Sequence, residues 1–367
     1  MSLRPQRGLD AIQTYVPGKP ICEVERELGL TDVVKLASNE NPYGVSPKAL
    51  AAMQTALAGG NVYPDGSSYD LRVALAGHFG FALDQVVVGN GADDIILELS
   101  MAYLDDGDEV IVSRSSFPIY DIYAHAMRAK LVKTPLAPGY RIDLDAMARA
   151  ITPRTRMVYV CNPNNPTGTI VTADDLARFL RRVPDHALVV LDDAYAEMAD
   201  SPEFPDSLGY VRDGRPNVVV LRTYSKIYGL AGIRIGYGFG HRDTLAPLFK
   251  VKEAFNVSVV AQAAGIAALD DAEFVEFTVA ENRKGREFLC REFARLGLAF
   301  AESHTNFVLV EIGPQAGDVQ QRLLCEGVIV RPCAAYDLPK CLRVSIGTPA
   351  ENDRFLAALE RVLAAIR

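Results

Sequence analysis

The chain has 367 residues, 49% of them hydrophobic and 23% charged, which excludes a disordered or fibrous protein. It exceeds the roughly 250–300 residues at which single cores stop growing, so a large domain with a smaller partner is expected. Lys and Arg number 38 against 46 Asp and Glu, and a net charge of −8 disfavours a basic face for nucleic acid.

A run of about 18 uncharged apolar residues is lacking, so no membrane span is expected. MSLRPQRGLDAIQ at the start has no apolar signal-peptide segment, and a cytoplasmic location is the expectation. The six cysteines have no CxxC spacing and read as small buried hydrophobes in a reducing compartment. The five histidines are scattered, without an HExxH pattern or Cys/His pairing, so no metal site is expected.

The first forty residues carry little sheet signal. QVVVGN reads as a strand leading into the helical ADDIILELSMAYL. DEVIVSR is the next strand, followed by the helical FPIYDIYAHAMRA and the strand KLVKTPL. RMVYVCN, ALVVLDDAY, NVVVLRTY and IRIGYGFG complete the strand candidates, with TADDLARFLRRV an amphipathic helix that Thr172 can N-cap. Alternating strands and helices, with strands apolar throughout, indicate a parallel sheet covered on both faces. From Arg242 a long helical stretch is expected to end near Asp271. AEFVEFTVAENRKGREFLCREFARLG then reads as a helix closed by Gly297, and FVLVEI, GVIVRP and CLRVSIG as short strands. The expected division is an N-terminal arm over 1–45 that partly joins the small domain, a large domain over 46–271 and a small α+β domain over 272–367.

In open α/β sheets, ligands lie beyond the carboxyl ends of the parallel strands. Those ends are polar here. QVVV runs into Gly89-Asn90-Gly91-Ala92-Asp93, RMVYVCN into NPNNPTG, ALVVL into Asp192-Asp193-Ala194-Tyr195, and NVVVLR into Thr223-Tyr224-Ser225-Lys226. Each segment alone has a plainer reading: a tight turn, a proline-rich turn, a surface carboxylate, a solvated lysine. Together they suit one chemistry. A lysine amine forms a Schiff base only when partly deprotonated, which burial or a nearby cation favours. A pyridine cofactor draws electrons only while its ring nitrogen is protonated, and a buried carboxylate keeps it so. A phenol and an amide can hydrogen-bond the ring oxygen, while an arginine and a helix N-terminus hold a phosphate. These are the parts of a pyridoxal 5'-phosphate site.

With those residues in view, the sequence resembles the histidinol-phosphate aminotransferase family of the fold type I pyridoxal-phosphate aminotransferases. The resemblance is carried by YVPGKPICEVERELGL, KLASNENPYG, YPDGSSYDLR, GNGADDII, CNPNNPTG, LDDAYAEM, RTYSKIYGLAGIRIGY and CLRVSIGT, spread over nearly the whole chain. It implies an α/β fold whose large domain holds a mostly parallel seven-stranded sheet sandwiched by helices, with a smaller α+β domain. It further implies that Lys226 is the Schiff-base lysine and that Asp192 pairs with the pyridine nitrogen. Tyr195 and Asn165 would bond the ring oxygen, and Phe117 would stack on the ring. Thr223, Ser225, Arg234 and the N–H groups of Ala92 and Asp93 would hold the phosphate. Tyr63 would reach the phosphate of the other subunit of a homodimer. Arg343 and Arg331 would grip the anionic groups of the substrate, with Tyr15 and Asn39 nearby.

The activity so implied is transamination of L-histidinol phosphate with 2-oxoglutarate, giving imidazole acetol phosphate and glutamate, a step of histidine biosynthesis. An aromatic amino-acid transaminase and a lyase such as a threonine-phosphate decarboxylase stay open on the same scaffold. Lys226, Asp192 and Arg234 together argue against a non-enzymatic binding protein.

Overall fold

The structure is a computed structural model, which describes residues 3–14 and 17–366. Its strands in chain order are β1 (Val34–Leu36), β2 (Val86–Gly89), β3 (Glu109–Ser113), β4 (Lys130–Thr134) and the short hairpin of β5 (Leu136–Ala137) and β6 (Arg141–Ile142). There follow β7 (Thr155–Cys161), β8 (Leu188–Asp192), β9 (Val218–Thr223), β10 (Gly236–Gly240), β11 (Ala299–Phe300), β12 (Phe307–Glu311), β13 (Val328–Pro332) and β14 (Cys341–Ser345).

Seven of these hydrogen-bond side by side in the order β2-β10-β9-β8-β7-β3-β4. Only β10 runs against its neighbours; β9, β8, β7, β3 and β4 pair in parallel. Successive side chains of a strand point to opposite faces, and here both faces are packed. Val189 and Leu191 join Val158, Val160, Val218 and Val220 in the core on one side. Val190 joins Val110, Val112, Val219 and Leu221 on the other. Two dry faces explain why these strands read as unbroken apolar runs. The fold is the expected α/β arrangement, with all seven strand candidates in one sheet.

The smaller sheet has the order β1-β13-β14-β12-β11. Its core includes Val308, Val330, Val344, Phe293 and Phe355. The helix Ala272–Arg295 packs there, and Gly297, at φ 73°, ends it as expected. The edge strand β1 was not apparent in the sequence. Three residues carry too short a pattern to read, and parallel pairing with β13, far along the chain, makes them a strand.

Two further expectations are corrected. The stretch from Arg242 is not one helix but three: Arg242–Leu245, Leu248–Val251 and Val259–Leu269. Tertiary bonds hold the intervening segment out of helix. Lys252 Nζ donates to the Val88 carbonyl, and Asn256 Nδ2 donates to Asp94 Oδ2 at 2.5 Å. Of the cysteines, only Cys161, Cys333 and Cys341 are buried, whereas Cys22 and Cys325 are exposed on helices whose apolar faces point elsewhere.

The helix Ala173–Leu180 follows the sequence reading closely. Thr172 accepts the Asp175 N–H at 3.2 Å, and Leu176, Phe179 and Leu180 are buried. Thr172→Ala is therefore expected to cost about 1 kcal/mol at this helix start. Amide hydrogen exchange over 173–176 should accelerate about fivefold where opening is local, and Thr172→Asp should restore protection.

Candidate active site

The carboxyl ends of β7, β8 and β9 and the start of the helix Ala92–Tyr103 open on one cavity of about 260 Å³. Thirteen of the residues expected to act line it: Asn39, Ala92, Asp93, Phe117, Asn165, Asp192, Tyr195, Thr223, Ser225, Lys226, Arg234, Arg331 and Arg343. Tyr63 does not. It is 80% exposed and stacks on Phe255, with ring centroids 4.7 Å apart. Tyr15 lies outside the described residues.

Asp192 closes β8 and is only 3% exposed. Tyr120 Oη donates to its Oδ2 at 2.5 Å, and the Ala194 N–H donates to its Oδ1 at 3.1 Å. Burial raises its pKa to about 6, against the pull of those two donors. Its neighbour Asp193 falls on the opposite side of the strand. There it accepts from Ser207 Oγ and faces Arg222, and burial carries it up to about 8. Alternation thus selects one of two adjacent carboxylates for the cavity.

Lys226 follows β9 and is partly buried. Desolvation is the largest cause that brings its amine down to about 8, and the Arg343 guanidinium adds to it. Its Nζ lies 5.7 Å from the centre of the Tyr195 ring. Asn39 Nδ2 donates to Tyr195 Oη at 3.0 Å, which leaves the phenol its own proton to donate. Arg343 Nη1 donates to Asn165 Oδ1 at 2.5 Å, so the free capacity of that amide is its NH₂ group. Arg343 Nη2 donates to the Ala37 carbonyl at 2.6 Å, while its buried Nε has no partner among the described residues.

At the other end, Arg234 Nη2 lies 3.6 Å from Asp93 Oδ2. Thr223 and Ser225 hydrogen-bond each other at 3.0 Å. Gly91, at φ 85°, leads into the helix whose first N–H groups open here. A side chain at Gly91 would be strained at that φ, and its Cβ would stand 2.5 Å from Arg234 Nη2, so the guanidinium would have to shift. Free N–H groups, two hydroxyls and a guanidinium make an anion site.

The reading by residues missed Tyr120, Glu40, Cys161 and Tyr336. Tyr120 lies three residues after Phe117 at a helix start, and that spacing is the signal that could have found it. Glu40 directly follows Asn39.

The pattern of the aminotransferase class I and II family matches residues 31–359. The chain belongs to the class I and II aminotransferases. Among its relatives, the histidinol-phosphate aminotransferase of Moorella thermoacetica is 47% identical over 354 residues, 96% of this chain and 92% of the relative. That of Symbiobacterium thermophilum is 47% identical over 352 residues, 96% of both chains. A solved structure, the histidinol-phosphate aminotransferase of Sinorhizobium meliloti in complex with pyridoxal-5'-phosphate, is similar with a TM-score of 0.92. It is 30% identical, covering 100% of this chain and 99% of that one. Desolvation leaves Lys226 neutral for part of the time near pH 8.

In the cofactor-free protein, the reactivity of Lys226 toward an amine-modifying reagent should rise with a midpoint near pH 8, because the neutral amine is the nucleophile. Arg343→Met removes a cation that disfavours the protonated amine, so the midpoint should move upward. Peptide mapping after modification across a pH series measures both.

Proposed function

We propose that the protein transfers the amino group of L-histidinol phosphate to 2-oxoglutarate, giving imidazole acetol phosphate and glutamate. The observation that carries the reading is one cavity holding Lys226 and Asp192 together with two further guanidiniums, Arg343 and Arg331. The names of the relatives at 47% identity support the same substrate.

The residues present fit pyridoxal 5'-phosphate. The anion site around Gly91 suits its phosphate, and the buried Asp192 suits its ring nitrogen. When bound, the cofactor supplies an aldehyde for the donor amine and a protonated ring that draws electrons from the donor's α-carbon. Ala92 and Asp93 N–H groups, Thr223, Ser225 and Arg234 hold the phosphate. Asp192 is ionised above about pH 6 and holds a proton at the ring nitrogen. Tyr195 Oη and the Asn165 amide donate to the ring oxygen. Phe117 borders the ring. Lys226 Nζ, neutral in a usable fraction near pH 7.5, takes the proton from the donor's α-carbon. Arg343 and Arg331 bind the anionic groups of donor and acceptor, where a planar guanidinium grips two oxygens at once. Asn39 keeps Tyr195 oriented.

The reading includes a homodimer in which Tyr63 donates to the cofactor phosphate of the partner subunit. The exposure of Tyr63, outside the lining of its own cavity, supports a role across an interface. A domain division at residues 45 and 271 and a cytoplasmic location belong to the same proposal. Among the described residues, no helix is long and apolar enough to cross a membrane.

Steady-state kinetics decide the substrate. kcat/KM for histidinol phosphate should exceed that for phenylalanine by at least a hundredfold, and parity would favour an aromatic transaminase. Lys226→Ala should keep binding the cofactor non-covalently while losing turnover; wild-type activity in that variant sinks the assignment.

A hybrid dimer tests Tyr63. A hydrogen bond to a charged group contributes roughly 1.5–3 kcal/mol, so the Tyr63→Phe homodimer should bind cofactor about ten- to a hundredfold more weakly. In a mixed dimer of Tyr63→Phe and Lys226→Ala chains, the site that keeps Lys226 should bind tightly. Weak binding at that site would place Tyr63 on its own subunit's cofactor.

A further inference from the structure

We infer that Glu40 is the specificity-determining residue for the donor's ring, its carboxylate accepting the imidazole N–H. The inference rests on the function proposed above. Three acidic side chains line the cavity: Glu40, Asp93 and Asp192. Asp192 is engaged by Tyr120 and Ala194, and Asp93 pairs with Arg234 at the phosphate end. Glu40 belongs to neither group. Its side chain is 48% exposed, and it also borders a second cavity beside the helix Ile21–Leu28, so it stands at a rim.

The backbone that presents Glu40 is fixed on both sides. The Asn39 N–H donates to Ser345 Oγ at 2.9 Å, and Asn306 Nδ2 donates to the Asn39 carbonyl at 2.9 Å. On the other side, Asn41 Nδ2 donates to the carbonyl of Ile227, the residue after Lys226, at 3.0 Å. Lys35 Nζ, 2.9 Å from Glu40 Oε1, aims the carboxylate. A carboxylate offers about four lone-pair sites, so one ammonium leaves capacity for a ligand. The charge also reaches Lys226, whose protonated form it favours.

The chemistry of the donor divides among these groups. Its anionic end suits Arg343 and Arg331. Its imidazole has an N–H to donate and an unperturbed pKa near 6.5, so it suits an acceptor and, when protonated, an anion. Guanidiniums accept nothing. A phenyl ring in the same place displaces water from the carboxylate and offers no N–H in return, leaving it Lys35 alone as a donor. A site built to hydrogen-bond a substrate group rejects an analogue lacking it far more strongly than an apolar pocket does.

The test compares histidinol phosphate with 2-amino-3-phenylpropyl phosphate, which keeps the amine and phosphate but has no ring N–H. Glu40→Ala should raise KM for histidinol phosphate by about ten- to a hundredfold with kcat changed less, and alter kcat/KM for the phenyl analogue at most about twofold. Glu40→Gln, which keeps a neutral acceptor, should recover part of the loss. Equal losses with both donors would mean that Glu40 only supports the local structure, and unchanged selectivity in both variants would overturn the assignment outright. A wild-type protein unable to use the imidazole donor at all would remove the function reading, and the role of Glu40 with it. A wild type that prefers that donor while both variants keep the preference would remove the role of Glu40 alone.

Discussion

Asp192 is an anion taken out of water, and an uncompensated buried charge costs several kcal/mol. The surrounding structure answers that cost. β8 sits at the centre of the large sheet with strands on both sides, and Tyr120 and the Ala194 N–H supply the donors that solvent no longer does. Burial acts with opposite sign on acids and bases. It lifts Asp192 to about 6 and lowers Lys226 to about 8, so two groups that differ by many units in water come to lie on either side of neutrality. One cavity thereby holds an anion and a partly neutral amine at the same pH.

The division of labour between the sheets follows. The large sheet supplies the rigid floor, with residues at successive strand ends. The smaller sheet supplies Arg331 and Arg343 from β13 and β14, paired at Arg331↔Arg343. Arg343 joins the two parts. It donates to Asn165 beyond the end of β7 and to the Ala37 carbonyl just after β1, so one guanidinium ties the floor, the N-terminal segment and the smaller sheet together.

Much of this was legible in the sequence because strands buried on both faces leave unbroken apolar runs, and the polar residues ending those runs become conspicuous. Asp192, Lys226 and the Gly91 turn could be read that way. What could not be read depends on long-range contact. The break at Lys252–Ser258 is imposed by Lys252 and Asn256 reaching residues on and beside the helix Ala92–Tyr103. β1 exists only because β13 lies beside it. The spacing from Phe117 marks Tyr120 as a neighbour on its helix, but its partner Asp192 lies 72 residues away. Local pattern reveals which face a residue takes, but not which distant group that face meets.

The pairing of β1 with β13 also bears on synthesis. Val34 finds its register opposite Val328, so the first strand made must wait for nearly the last. At roughly 5–20 residues per second, that wait is about 15–60 s on the ribosome. Throughout it the N-terminal segment has no sheet to join, and the neighbouring backbone of Ala37 and Asn39 lacks Arg343 and Ser345 as partners. The large sheet can assemble in the meantime, because its strands lie between residues 86 and 240. The wall that carries Arg343 is therefore completed late in synthesis, on a large sheet whose strands have all been made before it.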